Sequence, residues 1–160
     1  MRRKFDPSRK ALLDSEERRH RFPPERIFSM LPLAPDQIVA DIGCGTGYFS
    51  IPLAELLTKG KVFALDISEE MLNVLRDKLE KSPHDNIVAL KSEEENIPLK
   101  AQSLDGVLMT CVIHEAAEDR AAFLSKVLDL LKPNGWLAVV EWVKKEMPEG
   151  PPLGERLDMA

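Results

Sequence analysis

Residues 39–50 read Val-Ala-Asp-Ile-Gly-Cys-Gly-Thr-Gly-Tyr-Phe-Ser, and the three alternating glycines in them constrain the fold more than any other stretch of the chain. An apolar run (Ile38, Val39, Ala40, Ile42) carries Asp41 near its end, and an apolar helical pattern follows the glycines. The order is a strand, a tight turn and a helix start. Glycine at 43, 45 and 47 allows positive φ and lets a ligand approach without meeting a Cβ, whereas a bare turn needs one glycine and seldom three. The helix start would aim unsatisfied amides, and the positive end of its dipole, into the same crevice.

Spacing separates the ligands that use such a turn. A dinucleotide fingerprint, Gly-x-Gly-x-x-Gly, would require glycine at 48, where this chain has Tyr48. Asp-x-Gly-x-Gly-x-Gly at residues 41–47 instead resembles the first motif of the class I S-adenosylmethionine-dependent methyltransferases, in their small-molecule, type 11-like branch. The resemblance implies an α/β, Rossmann-like doubly wound parallel sheet with S-adenosylmethionine as cofactor. A nicotinamide-dependent oxidoreductase is the competing enzyme reading, and a regulatory module that holds the cofactor without transferring methyl is the non-enzyme one.

Composition narrows the setting. At 160 residues the chain is one domain, long enough to bury roughly two-thirds of its unfolded surface. A net charge of -5 argues against a general nucleic-acid or membrane-surface binder. Of the two cysteines, Cys44 lies in the glycine turn and Cys111 follows a strand pattern, so neither has metal-ligand spacing and no metal site is expected. Two thiols without a disulfide framework, no membrane-length apolar run and a charged N-terminus read as a reduced, cytoplasmic setting.

Periodicity places the rest. Residues 1–35 read as a helical segment, which the resemblance implies is a lid: Asp14-Ser15-Glu16-Glu17 precedes Arg18-Arg19-His20-Arg21, acids first and bases last as the dipole prefers, and Pro24 can open a second helix to Leu31 with Ile27, Phe28, Met30 and Leu31 toward the core. Residues 36–142 form the cofactor-binding core. Its strands are expected at 37–42, 61–67, 86–91, 104–110 and 136–142, alternating with helices in a parallel sheet of order 3-2-1-4-5. Pro52 fits only in a helix's first turn or at a kink, Gly60 is a plausible stop, Ser68 caps the next helix, and Glu118 or Asp119 the one after. Residues 143–160 are a Pro- and Gly-rich tail. The usual sixth and seventh strands, an antiparallel hairpin, are lacking, which leaves the fifth strand as an open edge and suggests a shortened chain that forms a homodimer there.

The candidate site follows from this frame. Asp66, ending the second strand about twenty residues past the glycines, is where a nucleoside-binding sheet sets a carboxylate against ribose hydroxyls. The resemblance implies further that Gly43, Cys44, Gly45 and Gly47 admit the methionine part, that loop amides meet its carboxylate, and that Asp41 sits near its ammonium. It also implies that Glu93, with Glu94 beside it, accepts from the adenine amino group between Ile67 and Ile97, and that Thr110 and Cys111 pass the methionine part through backbone atoms. His114, one of three histidines and followed by Glu115, follows the fourth strand on the crevice side and is the candidate catalytic residue, able to orient or deprotonate a nucleophile. The methyl acceptor is expected to be a small molecule.

Overall fold

The computed structural model describes residues 6–94, 96–115 and 119–158. Five strands form one parallel sheet: β1 (Ile38–Ile42), β2 (Lys61–Asp66), β3 (Ile87–Lys91), β4 (Leu104–Thr110) and β5 (Leu131–Val140), in the order β3-β2-β1-β4-β5. Strand alternation sorts the apolar residues onto two faces. Val39, Val62, Ala64 and Leu108 pack on one side with Leu53 of α3 (Ser50–Leu56) and Leu72 and Leu75 of α4 (Glu69–Lys81). Ala40, Ile42, Leu65, Val107 and Met109 pack on the other with Phe123 and Val127 of α5 (Arg120–Asp129).

The first and fourth strands begin and end within a residue of expectation, but the fifth does not. Leu131 already pairs with Leu104, and the register then jumps so that Trp136 pairs with Gly106. Residues 132–135, which precede the expected start of the strand at Trp136, are therefore a bulge inside a ten-residue strand, with Asn134 at φ 67° absorbing the extra length. The expected alternation of strand and helix also fails once. Among the described residues no helix lies between Lys91 and Leu104, and the loop inserts Ile97 and Leu99 against the core instead.

Helix limits follow their caps. Ser68 accepts from Met71 N–H at 3.3 Å and Asp119 from Ala122 N–H at 2.9 Å; Glu118 lies outside the described residues. Pro52 falls in the first turn of α3, as its missing donor requires, but that helix ends at Leu56, before Gly60. A 3-10 segment (Pro7–Asp14), α1 (Glu16–Arg21) and α2 (Pro24–Phe28) precede the sheet. The second of these helices stops at Phe28 rather than Leu31, and Met30 is exposed instead of facing the core. The tail pairs with the chain just beyond β5 through one bridge, Val143 with Leu157, and leaves residues 136–140 paired on the β4 side alone. Arg156 organises the tail by donating to the carbonyls of Pro151, Lys145 and Glu149. Among the described residues no helix is long and apolar enough to cross a membrane.

Candidate functional site

The carboxyl ends of β1, β2, β4 and β5 open onto one crevice, and the glycine turn lies across its floor. Gly43, Gly45 and Gly47 all have positive φ (75°, 54° and 85°). A Cβ at Gly43 would collide with Val112 and one at Gly47 with Leu75, whereas one at Gly45 would stand 3.3 Å from Leu13 of the N-terminal segment. Internal packing therefore accounts for glycine at 43 and 47. The expectation that all three clear a ligand narrows to Gly45, which faces only the N-terminal cover.

The turn's amides correct a second expectation. Gly43 and Cys44 donate to the Leu65 carbonyl at 2.7 and 2.9 Å, Gly45 to Asp66 Oδ2 at 2.8 Å, and Gly47 to the Cys44 carbonyl at 3.0 Å. The first three hold the turn against β2, the fourth closes the turn on itself, and all four are engaged within the protein. Spacing alone could not reveal it, because the acceptors of the first three lie on another strand.

Asp41 is 1% exposed, and its two oxygens differ. Oδ2 accepts a 2.6 Å hydrogen bond from Ser50 Oγ, while Oδ1 is buried with no partner. Burial pushes its pKa up to about 6, against the Ser50 hydrogen bond that pulls it down. Asp66 is buried too, and each oxygen accepts one amide, Oδ1 from Ser68 and Oδ2 from Gly45, both at 2.8 Å. Its pKa is raised by burial against those two amides. Cys44 is a buried thiol pushed well up by burial, and Thr110 is buried at the end of β4. Ile67 and Glu93 lie exposed at the rim, and Glu94 is half-buried.

After β4 the chain kinks. Cys111 takes φ 58° without being glycine, a strained conformation that such crevices tolerate, and its thiol is pushed up to about 12 by burial with Glu141 nearby. The kink sends Val112 into the glycine turn and His114 under the end of β5. There Glu141, which the sequence reading missed, takes both donors of His114: the backbone N–H at 2.9 Å and Nδ1 at 2.8 Å. Glu115 lies 3.5 Å from Nε2. Burial alone would lower the His114 pKa, but the two carboxylates raise it to about 9, and the histidine in turn holds Glu141 low against its own burial. At neutral pH the pair is an imidazolium and a carboxylate. Glu141 had a signal: it ends the apolar run Leu137–Val140 much as Asp41 and Asp66 close β1 and β2.

The N-terminal segment covers the crevice. Asp14 accepts from Thr46 Oγ1 at 3.0 Å and from Lys78 Nζ at 2.8 Å, and Lys78 also donates to the Thr46 carbonyl. Arg18 stacks over the Tyr48 ring at 4.7 Å, and Tyr48 donates to the Phe22 carbonyl at 2.8 Å. Phe22 meets Trp142, just beyond β5, edge-on at 6.3 Å, and Arg21 pairs with Glu149 of the tail, so the N-terminal segment touches the tail as well as the glycine turn.

A buried, unpartnered carboxylate oxygen beside a carboxylate at the next strand end suits a ligand with a cationic group and hydroxyls, and known proteins share this frame. The methyltransferase domain family matches residues 39–135. The ubiquinone/menaquinone biosynthesis C-methyltransferase UbiE of Wigglesworthia glossinidia brevipalpis is 32% identical over 112 residues, covering 69% of this chain and 44% of that one. An uncharacterized methyltransferase of Mycobacterium tuberculosis is 37% identical over 126 residues, covering 78% and 47%. The chain thus spans about half the length of these curated relatives. The crystal structure of a SAM-dependent methyltransferase from Aquifex aeolicus superposes with a TM-score of 0.90 at 36% identity, over 97% of this chain and 82% of that one. The chain belongs to the methyltransferase domain family, among the class I S-adenosylmethionine-dependent methyltransferases.

Proposed function

We propose that the chain catalyses S-adenosylmethionine-dependent methylation of a small-molecule acceptor, with the cofactor seated between the ends of β1 and β2 and the glycine turn. When bound, the cofactor supplies a methyl group already activated on a sulfonium for in-line displacement, so the protein's task is positioning. The observation that carries the reading is Asp41 Oδ1, buried and without a donor. An ammonium answers both of its needs, a hydrogen-bond donor and an opposite charge.

Around that contact the other roles are assigned by position. Asp66 holds the ribose hydroxyls, since each of its oxygens accepts one amide and keeps a further acceptor position. Gly45 gives the approach, with Gly43, Cys44 and Gly47 shaping the turn and Thr110 bounding the methionine side. Glu93, with Glu94 beside it, receives the adenine amino group from the rim, between Ile67 and Ile97. Residues 1–35 act as the lid, 36–142 as the cofactor core and 143–160 as the tail that closes the acceptor side. His114, held as an imidazolium by Glu141 and Glu115, orients the acceptor as a cation and does not take its proton at neutral pH. Self-association through the open outer edge of β5, where Val139 is exposed, belongs to the same reading and is checked by sedimentation.

The quinone named for the Wigglesworthia relative does not transfer by itself. The likeness covers 44% of that protein, and the matched family model is that of a methyltransferase domain, so it supports the reaction class more than the acceptor. Calorimetry with S-adenosylmethionine and S-adenosylhomocysteine, on wild type and Asp41→Asn, tests the site. Binding is expected in wild type and weaker binding in the variant, and no binding in wild type would end the proposal. Cofactor binding without transfer to any member of a metabolite panel, small quinols included, would favour the regulatory-module reading.

A further inference from the structure

The methionine end of the proposed cofactor carries two opposite charges, and Asp41 answers only the ammonium. The carboxylate finds fewer partners in the turn than expected. Four amides of the glycine turn, those of Gly43, Cys44, Gly45 and Gly47, are engaged internally. The helix that follows has only seven residues and starts three residues past the last glycine, so its dipole is a weak substitute. A side-chain cation would supply the opposite charge that neutral amides do not.

Two cations around the turn are paired with carboxylates, Lys78 with Asp14 and Lys10 with Glu70 at 3.0 Å, and a third, Lys91, lies at the end of β3 beside Asp66 and donates to the Ile67 carbonyl, on the side proposed for the ribose. Arg18 stands apart. Its guanidinium lies over Tyr48 at 4.7 Å and Phe49 at 5.8 Å, and it gives one hydrogen bond to the Leu13 carbonyl at 3.0 Å. Among the described residues no carboxylate lies within ion-pairing distance of it. A guanidinium has five donors in a planar fork, so a neutral carbonyl that takes one leaves its charge and most of its donors available. Its charge bears on both Asp41 and Cys111, pulling against the burial that raises their pKa values.

We propose that Arg18 is the residue of the N-terminal segment that binds the cofactor's α-carboxylate, with Tyr48 and Phe49 holding the guanidinium plane from below. The proposal rests on the cofactor reading above and extends it. The N-terminal segment becomes part of the cofactor site, not only a cover over it. Tyr48, which replaces the third glycine of a dinucleotide turn, becomes the bed for the arginine. Charge-assisted fork contacts with a carboxylate are the strong kind, so the effect is large enough to read.

Decarboxylated S-adenosylmethionine keeps the sulfonium, the amine and the nucleoside and lacks only the carboxylate. Wild type should bind S-adenosylmethionine about tenfold or more tightly than the decarboxylated form, the scale of one charge-assisted contact. Arg18→Met, which keeps an apolar stem over the rings, should erase that preference by weakening S-adenosylmethionine while leaving the decarboxylated form within about twofold. Arg18→Lys should restore part of it. Equal weakening of both ligands would mean a structural role, and tighter S-adenosylmethionine binding in Arg18→Met would mean that the arginine blocks the site; either result overturns the proposal. So does a wild type that binds both ligands equally, a comparison that needs no variant to fold. A wild type that binds neither would remove the cofactor reading and this inference together.

Discussion

Asp41 and Asp105 sit on adjacent parallel strands at opposite ends of the sheet, and the protein treats them in opposite ways. Asp105, at the amino edge, accepts the Ile38 amide at 2.7 Å and pairs with Lys132 at 2.9 Å. Those partners outweigh its partial burial and hold its pKa below the usual carboxylate range. Asp41, at the carboxyl edge, is fully buried, has one oxygen unpartnered and is pushed up to about 6. An acid satisfied by its own fold is a clamp between strands. An acid left in deficit at the carboxyl edge of a doubly wound sheet is where the proposed cofactor would complete the structure.

The largest expected effect tests this contrast directly. Asp41→Asn removes the buried charge and keeps an amide that can still bond Ser50. The folded-state pKa of Asp41 is raised, so its contribution favours folding below the unfolded value of 3.8 and is lost as pH rises through about 6. The variant should therefore be more stable than wild type by about 1–3 kcal/mol at pH 8, with the gain shrinking toward pH 4, while cofactor affinity falls. Urea unfolding at the two pH values reads the first effect and calorimetry the second. A variant less stable than wild type at pH 8 would break the comparison.

Asp66→Ala should come next, weakening the cofactor by about 1.5–3 kcal/mol, the scale of hydrogen bonds to a charged acceptor. Unchanged affinity in titration calorimetry would remove Asp66 from the site. Asp105→Ala sharpens the contrast from the other edge. It should cost about 1–2 kcal/mol of stability through the orphaned Ile38 amide, with little from the half-exposed Lys132 pair, and leave cofactor affinity unchanged.

What the sequence made legible divides along the same line. The strand order, β1, β4 and the caps at Ser68 and Asp119 depend on local periodicity and capping chemistry, which a short window contains. Asp41 and Asp66 were legible because a strand's end fixes which edge an acid occupies. The amides of Gly43 and Cys44 were misassigned because their acceptor, Leu65, lies on β2. The bulge of β5 reads locally as a turn, since Pro133 and Asn134 are turn residues, and only pairing with β4 shows the strand continuing through it. Arg18 meets Tyr48 across thirty positions of chain, a contact that no spacing rule reports. Glu141 could have been found by extending to β5 the argument that singled out Asp66.

His114 and Glu141 are a third case, acid and base both buried but satisfying one another. The His114 pKa is raised above its unfolded value of 6.5, so its stabilisation is fully present below that value and is lost as pH rises through about 9. Unfolding free energy should fall by about 2 kcal/mol between pH 7 and 9.5, and Glu141→Gln should flatten that slope. An unchanged slope in the variant would mean that some other group carries it.

The smallest effect is the most specific, because its sign reverses. At pH 6 the free protein holds Asp41 about half protonated, and a cofactor ammonium beside Oδ1 favours the carboxylate, so binding should release about half a proton. Near pH 8 Asp41 is already ionised, while the free α-amine, with a pKa of about 7.7–8.0, is partly neutral. Contact with a buried carboxylate then favours the ammonium, and binding should take a proton up. Calorimetry in buffers of different ionisation enthalpy measures both, and Asp41→Asn should abolish the release at pH 6. Decarboxylated S-adenosylmethionine should keep the release, since it retains the amine. Proton uptake at pH 6 that required the carboxylate would instead place the anionic end of the amino acid, not its ammonium, beside Asp41, and would exchange the roles argued for Asp41 and Arg18.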